Sequence, residues 1–538
     1  MTESIAIITS GAYVNADIAA EFGLIPPAFL PIGNRRLYVW QVEALRQTLP
    51  DIPIYLTVPA DYEVGAGDRR QLDELGVTVV HSLEGLSLGA AVAFAVLSTG
   101  NIDKRLLILH GDTLLLDYPF DKIDAVSGGV TDSYYAWGAF SRRRNGALRI
   151  REEREVAAAA QSTVLTGAFF FADTPLFLKC LAVARNRFVE AIALYSEARA
   201  LEVVEEGRWL DFGHLHTYFQ SRRRITSERH FNRLESKSSF FVKSSVKKAK
   251  VEAERDWFLG LPDDLKIFAP LVLEAPASDD FGAYMIEYIH AAPLSDIYVF
   301  GQLPASVWRT VFAGCNGFLT AAAAHKGGKA HAAGWSALYE QKTLSRLDAF
   351  AANAGVDLDA EWTINGRRTP SLRRITELMA KDIGAPAKDD ITIVHGDFCF
   401  SNILFDFRAQ RIKVIDPRGI DAKDRPTLFG DRRYETAKLH HSVVGRYDYI
   451  LAGFHETRRP SSHELELALP DDARTRNIQA IFQETAFGGR GLDDLKAHQI
   501  SVLLFLSMLP LHADDASRQL ALLANGLRLY AMLEGEAG

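Results

Sequence analysis

Residues 395–404 read His395-Gly396-Asp397-Phe398-Cys399-Phe400-Ser401-Asn402-Ile403-Leu404, and Val414-Ile415-Asp416-Pro417-Arg418-Gly419 follows them. The spacing puts an aspartate on a turn, an asparagine five positions later, and a second aspartate at the end of an apolar strand. Phosphoryl transfer asks for an oriented nucleophile and for cations that hold phosphate oxygens, with little covalent chemistry from the protein. Asp397 is placed to accept the proton of an attacking hydroxyl. Asn402 and Asp416 offer the hard oxygen ligands that Mg²⁺ prefers, of which it takes only one or two from protein. Each piece has a plainer reading, a turn for the first and a strand-end cap for the second, but the two together at this spacing are specific.

Working outward, the chain has 538 residues, too many for one core, so two or three domains are expected. At 48% hydrophobic and 24% charged it reads as a globular protein. The formal net charge of −8, with no domain-wide basic excess, argues against nucleic acid as a partner. The one dense basic cluster, Arg222-Arg223-Arg224, reads as a solvated helix face. Three scattered cysteines, Cys180, Cys315 and Cys399, without CxxC spacing, exclude a zinc or disulfide framework and fit a reducing compartment. Cys399, although inside the motif, reads as a small buried hydrophobe. Met1–Thr9 lacks the basic start and long apolar stretch of a secretion signal, and apolar runs such as Val502–Leu511 are too short to span a bilayer. A cytoplasmic protein without a membrane span is expected.

Up to about residue 225, short apolar strands alternate with helices. Ile5–Thr9, Ile54–Val58, Val77–Val80, Leu106–Leu109, Tyr135–Phe140 and Ala168–Phe171 read as strands; Tyr38–Gln47, Gly89–Leu97 and Thr174–Ala184 read as helices. That alternation predicts an α/β domain on a mostly parallel sheet, whose ligands sit at the carboxyl ends of strands. A hairpin is then expected from Phe231–Leu234 and Phe240–Lys243 around the turn Glu235–Ser239, followed by a helix, Lys247–Leu261, and an apolar segment, Ala283–Ile289. Beyond Pro304 the pattern is mainly helical, interrupted by Ile391–Ile415.

The motif around Asp397 and Asp416 resembles the catalytic loop and metal-binding strand of the aminoglycoside phosphotransferase and choline kinase superfamily. The resemblance runs from about residue 226 to 538 and implies a bilobal protein-kinase-like fold, with lobes at 226–290 and 291–538. It implies that Lys243, in Phe-Val-Lys, reaches the ATP phosphates and that a glutamate of the next helix pairs with it. Glu254 shares a helical face with Phe258 and Leu261, which points inward, and Glu252 is its rival. Glu287 and Ile289, in Met-Ile-Glu-Tyr-Ile, would bind adenine through the backbone between the lobes. Asp431 matches the family's later structural aspartate. A glycine-rich phosphate loop is missing, and Glu235-Ser-Lys-Ser-Ser239 stands in its place.

Residues 1–225 resemble the sugar nucleotidyltransferases, which implies a Rossmann-like fold and the joining of an NTP to a phosphorylated small molecule. Four segments carry the resemblance: Ile7-Ile-Thr-Ser-Gly11, Phe29-Leu-Pro-Ile-Gly33, Leu107-Ile-Leu-His-Gly-Asp112 and Arg208-Trp-Leu-Asp211-Phe-Gly213. Two phosphates must meet in this reaction, so Mg²⁺ held by Asp112 and Asp211 would neutralise charge and align the groups. Ser87-Leu-Gly89 resembles the helix start that contacts the base or ribose, and Thr166-Gly167 the strand beside the sugar pocket. The chain departs from the family at Gly11-Ala-Tyr-Val-Asn15, where GxGTR is usual, and at Pro27-Ala28, where Pro-Lys is usual. Arg35 and Arg36 are the nearby cations that could replace the missing charge.

Together the resemblances imply a bifunctional enzyme. One half would phosphorylate a sugar, polyol or amino alcohol with ATP. The other would attach a nucleotidyl group from a second NTP, giving an activated precursor for surface polysaccharide. Mg²⁺ is expected at both sites, and the partners are nucleotides and a small molecule, with a homo-oligomer left open. The alternative is a kinase whose N-terminal domain binds a ligand as a regulator. For an amino alcohol, Asp421, Asp424, Tyr434 and Glu435 could form the cationic-group site or simply a solvated loop.

Overall fold

The computed structural model describes residues 4–131, 135, 137–142, 148–153, 162–229, 233–237, 240–274, 281–328 and 337–536. The chain divides into two compact units, Met1–Arg222 and Arg223–Gly538.

The first unit is built on β1 (Ser4–Thr9), β2 (Ile54–Val58), β3 (Val77–His81) and β4 (Arg105–His110), all parallel, with β1 between β4 and β2. The apolar runs of β1, β2 and β4 are buried on both faces, as parallel strands covered by helices require, while the edge strand β3 is only partly buried. The helices Leu37–Thr48, Leu88–Thr99 and Thr174–Val183 lie within a residue or two of the stretches read from the sequence. A short strand, β5 (Thr113–Leu116), comes before β6 (Ala125–Thr131), β7 (Trp137–Arg142), β8 (Leu148–Glu153) and the long β9 (Ser162–Phe171).

The sheet is mixed, where a mostly parallel one is expected. β9 runs antiparallel between β4 and β6, while β10 (Glu202–Val204) returns parallel to β6. Its phenylalanines explain the insertion: Phe169 and Phe171 join Ile5, Ile7, Leu106 and Ile108 in one apolar core. β11 (Arg208–Asp211) pairs antiparallel with β5 in a register that sets Asp211 opposite Thr113, next to Asp112.

The second unit begins with a four-stranded antiparallel sheet, β12 (Arg233–Lys237), β13 (Phe240–Ser245), β14 (Val272–Glu274) and β15 (Gly282–Glu287), in the order β12-β13-β15-β14. Glu235–Lys237, expected in the turn, continues β12, and residues 230–232 and 238–239 lie outside the described residues. Helix Lys248–Leu259 separates β13 from β14. Most of the remaining described residues are helical. The stretch Ile391–Val414 supplies three short strands, Ile391–Ile393, Ile403–Asp406 and Arg411–Val414, with the catalytic-loop motif between the first two. The fold class is therefore α/β: a Rossmann-like mixed sheet first, then a kinase-like arrangement of small sheet and helical part. Of the arginine cluster, Arg224 is exposed, but the Arg223 guanidinium lies over the Tyr288 ring at 5.6 Å.

Candidate active sites

In the second unit the strand lysine is the organising charge. Lys243 Nζ lies 2.6 Å from Glu254 Oε2 and 3.0 Å from Asp416 Oδ1, with the Lys243 and Glu254 side chains 10% and 4% exposed. Burial works against its charge, but Asp416 and Glu254 outweigh that and hold its pKa above the ordinary lysine value. The partner is Glu254, not Glu252. From the same helix, one turn on, Trp257 Nε1 donates to the Val394 carbonyl (2.8 Å) and its ring meets His395 edge-on. One helical face thus fixes both the lysine and the catalytic loop.

The loop is held from behind. Glu435 accepts the backbone N–H groups of His395 and Gly396, both at 2.8 Å, and burial raises its pKa to about 7. His395 receives the Asp397 N–H on Nδ1 (3.3 Å) while Nε2 lies 2.9 Å from the Ile415 carbonyl. That pair of partners assigns the proton to Nε2, and burial lowers the ring's pKa to about 4, so the histidine is a neutral strut.

Asp397 Oδ1 is 2.8 Å from Lys438 Nζ, and Asn402 Nδ2 donates to Asp397 Oδ2 (3.0 Å) and to its carbonyl (2.9 Å). Burial would raise the Asp397 pKa, but Lys438 overrides it and the carboxyl stays below the usual range. The result is a carboxylate that is ionised, aimed and 42% exposed, so a hydroxyl can reach it. Burial pushes the Cys399 thiol up to about 12, which disfavours the thiolate.

Asp416 sits at φ 55°, a left-handed backbone that aspartate tolerates better than most residues and that often marks a functional position. The turn projects its carboxylate to Lys243. Gly419, three residues on, permits contact that no side chain would: a Cβ there would lie 2.5 Å from the Ala253 carbonyl.

The proposed adenine segment lies at the end of β15. The Glu287 N–H donates to the Leu271 carbonyl (2.8 Å), and the Ile289 carbonyl accepts from Ala291 (2.9 Å). Asp431 caps helix Arg432–Val443 and accepts from Tyr339 Oη (2.7 Å) and Arg433 (2.7 Å), a structural role.

In the first unit a cavity of about 230 Å³ is lined by Asp112 and Asp211 and by His110, Thr166, Phe188 and His214 among others. The two aspartates converge on Gly213: a Cβ there would lie 2.8 Å from Asp112 Oδ2 and 3.4 Å from Asp211 Oδ1. Burial, then the Asp112 charge, raises the Asp211 pKa to about 7, and its Oδ2 is buried without a hydrogen-bond partner. Two carboxylates with an orphaned oxygen fit a divalent cation completed by substrate oxygens. Among the described residues no group of three or more metal-ligating side chains occurs.

Gly89 and Gly11 play packing parts. A Cβ at Gly89 would meet the Asn186 carbonyl at 2.4 Å, and one at Gly11 would meet Ser82 at 2.9 Å. The arginines do not reach the cavity. Arg36, 2% exposed, grips Asp68 with two guanidinium nitrogens (2.8 and 2.7 Å) and donates to the Phe29 carbonyl. Arg35 pairs with Glu43 and lies over the Trp40 ring. Among the described residues no lysine or arginine lines the cavity.

No model of a known protein family matches the chain. No curated protein matches it either. Among solved structures, its N-terminal part is similar to a UDP-glucose pyrophosphorylase from Acinetobacter baumanii, at 15% identity over 43% of this chain and 95% of that one, TM-score 0.33. It is also similar to a nucleoside-diphosphate-sugar pyrophosphorylase from Vibrio cholerae RC9, at 12% identity over 41% of this chain and all of that one, TM-score 0.34. An aminoglycoside-3'-phosphotransferase of type VIII is similar at 17% identity over 54% of this chain and 84% of that one, TM-score 0.26.

Proposed function

We propose that the chain is a bifunctional enzyme. Its second unit phosphorylates a hydroxyl of a small metabolite with ATP. Its first unit transfers a nucleotidyl group from an NTP to the phosphorylated product, giving a nucleotide-linked precursor of the kind that feeds surface polysaccharide. The observation that carries the reading is the position of Lys243, bonded at once to Glu254 and to Asp416. An ammonium on that carboxylate is where a cation and nucleotide phosphates belong.

In this reading Asp397 takes the acceptor's proton, Lys438 keeps Asp397 ionised, and Asn402 fixes its direction. Lys243 draws the phosphates into line, and the backbone near Glu287 and Ile289 receives adenine. Magnesium, held by Asn402 and Asp416 in one unit and by Asp112 and Asp211 in the other, supplies charge neutralisation when bound. In the first unit, Thr166 and His214 border the space beside the two aspartates and would orient the phosphorylated substrate.

The lack of a lysine or arginine among the described residues lining the cavity supports a second reading, in which the first unit binds a ligand and regulates the kinase. One experiment separates them. The full chain is incubated with Mg²⁺, mixed NTPs and candidate alcohols, and products are followed by mass spectrometry and pyrophosphate release. Nucleotide-linked products with stoichiometric pyrophosphate support the bifunctional enzyme. Phosphorylated products without pyrophosphate support the regulatory reading, and ATP left intact by every acceptor overturns both.

A further inference from the structure

A small cavity in the second unit is lined by Tyr339, Lys342, Thr343, Arg346 and Tyr434, together with Leu338. Its space of about 20 Å³ is partly open to the surface and admits one oxygen-sized atom. Leu338 and Tyr434 also pack around Val394, the residue before His395, so the cavity borders the catalytic loop. Lys438 Nζ lies 5.9 Å from the Tyr434 ring centroid and 2.8 Å from Asp397 Oδ1. Arg418 closes in from the other motif. Its N–H donates to the His395 carbonyl (2.8 Å), and its Cβ would lie 2.7 Å from a Cβ at Gly396.

Burial first, then Arg418 and Arg346, pull the Lys342 pKa down to about 7, with Asp424 working the other way. Arg346 is half-buried and donates to the Ser507 carbonyl (3.1 Å). Thr343, 1% exposed, lines the same cavity with an Oγ1 that has no hydrogen-bond partner. Two of the three carboxylates that could have served a cationic acceptor are engaged elsewhere. Asp421 is bonded to Arg425 at 2.6 Å, and Glu435 holds the loop backbone. Two cationic side chains and a buried hydroxyl, lining one cavity that borders the loop of Asp397, are complementary to an oxyanion.

We propose that this pocket receives one oxygen of an anionic group of the acceptor, a carboxylate or a phosphate, so that the kinase acts on a hydroxy acid or a sugar phosphate rather than on an amino alcohol. The assignment rests on the kinase reading above. The acceptor's hydroxyl oxygen bonds to the γ-phosphorus while the bond from that phosphorus to the β–γ bridging oxygen breaks. ADP leaves with that electron pair, and the hydroxyl proton passes to Asp397. The oxyanion, held by Lys342 and Arg346, sets which hydroxyl faces Asp397.

The test measures ADP release by the full chain with Mg²⁺, ATP and acceptors matched in skeleton. Glycerol is compared with glycerate and glycerol phosphate, and glucose with glucuronate and glucose 6-phosphate, with choline and ethanolamine as cationic arms. An oxyanion member is expected to exceed its neutral counterpart in kcat/KM by about tenfold or more, the yield of one charge-assisted hydrogen bond. Lys342→Met, which keeps the aliphatic stem, and Arg346→Gln should each shrink that preference about tenfold, through KM. The carboxylate and phosphate arms tell the two oxyanions apart. Equal or better use of neutral or cationic acceptors overturns the assignment. So does a lack of turnover with every oxyanion, or a preference that both variants leave in place. ADP release that survives Asp397→Asn at the parental level instead defeats the kinase reading itself.

Discussion

Lys438 Nζ lies 2.8 Å from Asp397 Oδ1, reaching it from helix Arg432–Val443. The ammonium holds the Asp397 carboxyl below its usual range. The base must be ionised to accept a proton, so removing Lys438 should raise the pKa and move the acid limb of the activity profile to higher pH. Lys438→Met is expected to shift that limb by about one unit and to lower kcat at least tenfold, the scale for a misadjusted general base. The pH dependence of kcat/KM for ADP release checks both. An unmoved acid limb would remove Lys438 from the mechanism.

Separate sites predict separable losses. Asp397→Asn and Asp416→Ala should each reduce ADP formation by about a thousandfold or more while pyrophosphate release from a supplied phosphomonoester continues. Asp112→Ala should do the reverse. Loss of both activities in one folded variant, by circular dichroism and thermal melting, contradicts the two-site reading.

Asp211 carries a pH signature of its own. Its folded pKa of about 7 lies above the unfolded aspartate value. The stability it contributes is therefore full below about pH 4, where both states hold the proton, and is lost as pH rises toward 7. Above that, the ionised carboxylate is a liability on the order of 2–4 kcal/mol. Without Mg²⁺, Asp211→Asn should raise the melting temperature of this unit at pH 8 and leave it unchanged at pH 4. Added Mg²⁺ should stabilise the parent at pH 8 and not the variant. A calorimetric pH series in both conditions reads these outcomes.

Arg36 is predicted to be structural. Arg36→Met strips Asp68 of its buried partner and should cost about 3 kcal/mol. Near the temperature of maximum stability, the KM for NTP in pyrophosphate release should change less than twofold. A tenfold rise in that KM, with the fold intact, would put Arg36 back among the triphosphate contacts.

The two halves differ in how much the sequence discloses. Asp397, Asn402 and Asp416 lie on one short stretch whose turn and strand spacing already implies convergence. Lys243 and Glu254 belong to consecutive elements, and helical periodicity selects the inward-facing glutamate. Lys438 and Glu435 escape such reading, because they meet the loop from a later helix and nothing local distinguishes them from surface charges. Lys342 and Arg346 escape it for the same reason. Arg36 misleads, since proximity to a missing cation suggests a phosphate contact, while Asp68 lies on another helix and claims it. The antiparallel β9 was equally hidden, because an apolar run carries no sign of strand direction. The pairing of Asp112 with Asp211 depends on the β5–β11 register, which the two motifs only hint at.

The helix Lys248–Leu259 is fastened twice, through Trp257 to Val394 and through the contact of Gly419 with Ala253. Swinging it outward to part Glu254 from Lys243 would pull an almost wholly buried indole into water, at about 3 kcal/mol or more. On the kinase reading, Lys243 and Glu254 are therefore held together before any substrate arrives, and any control over turnover would have to act through another element than this helix.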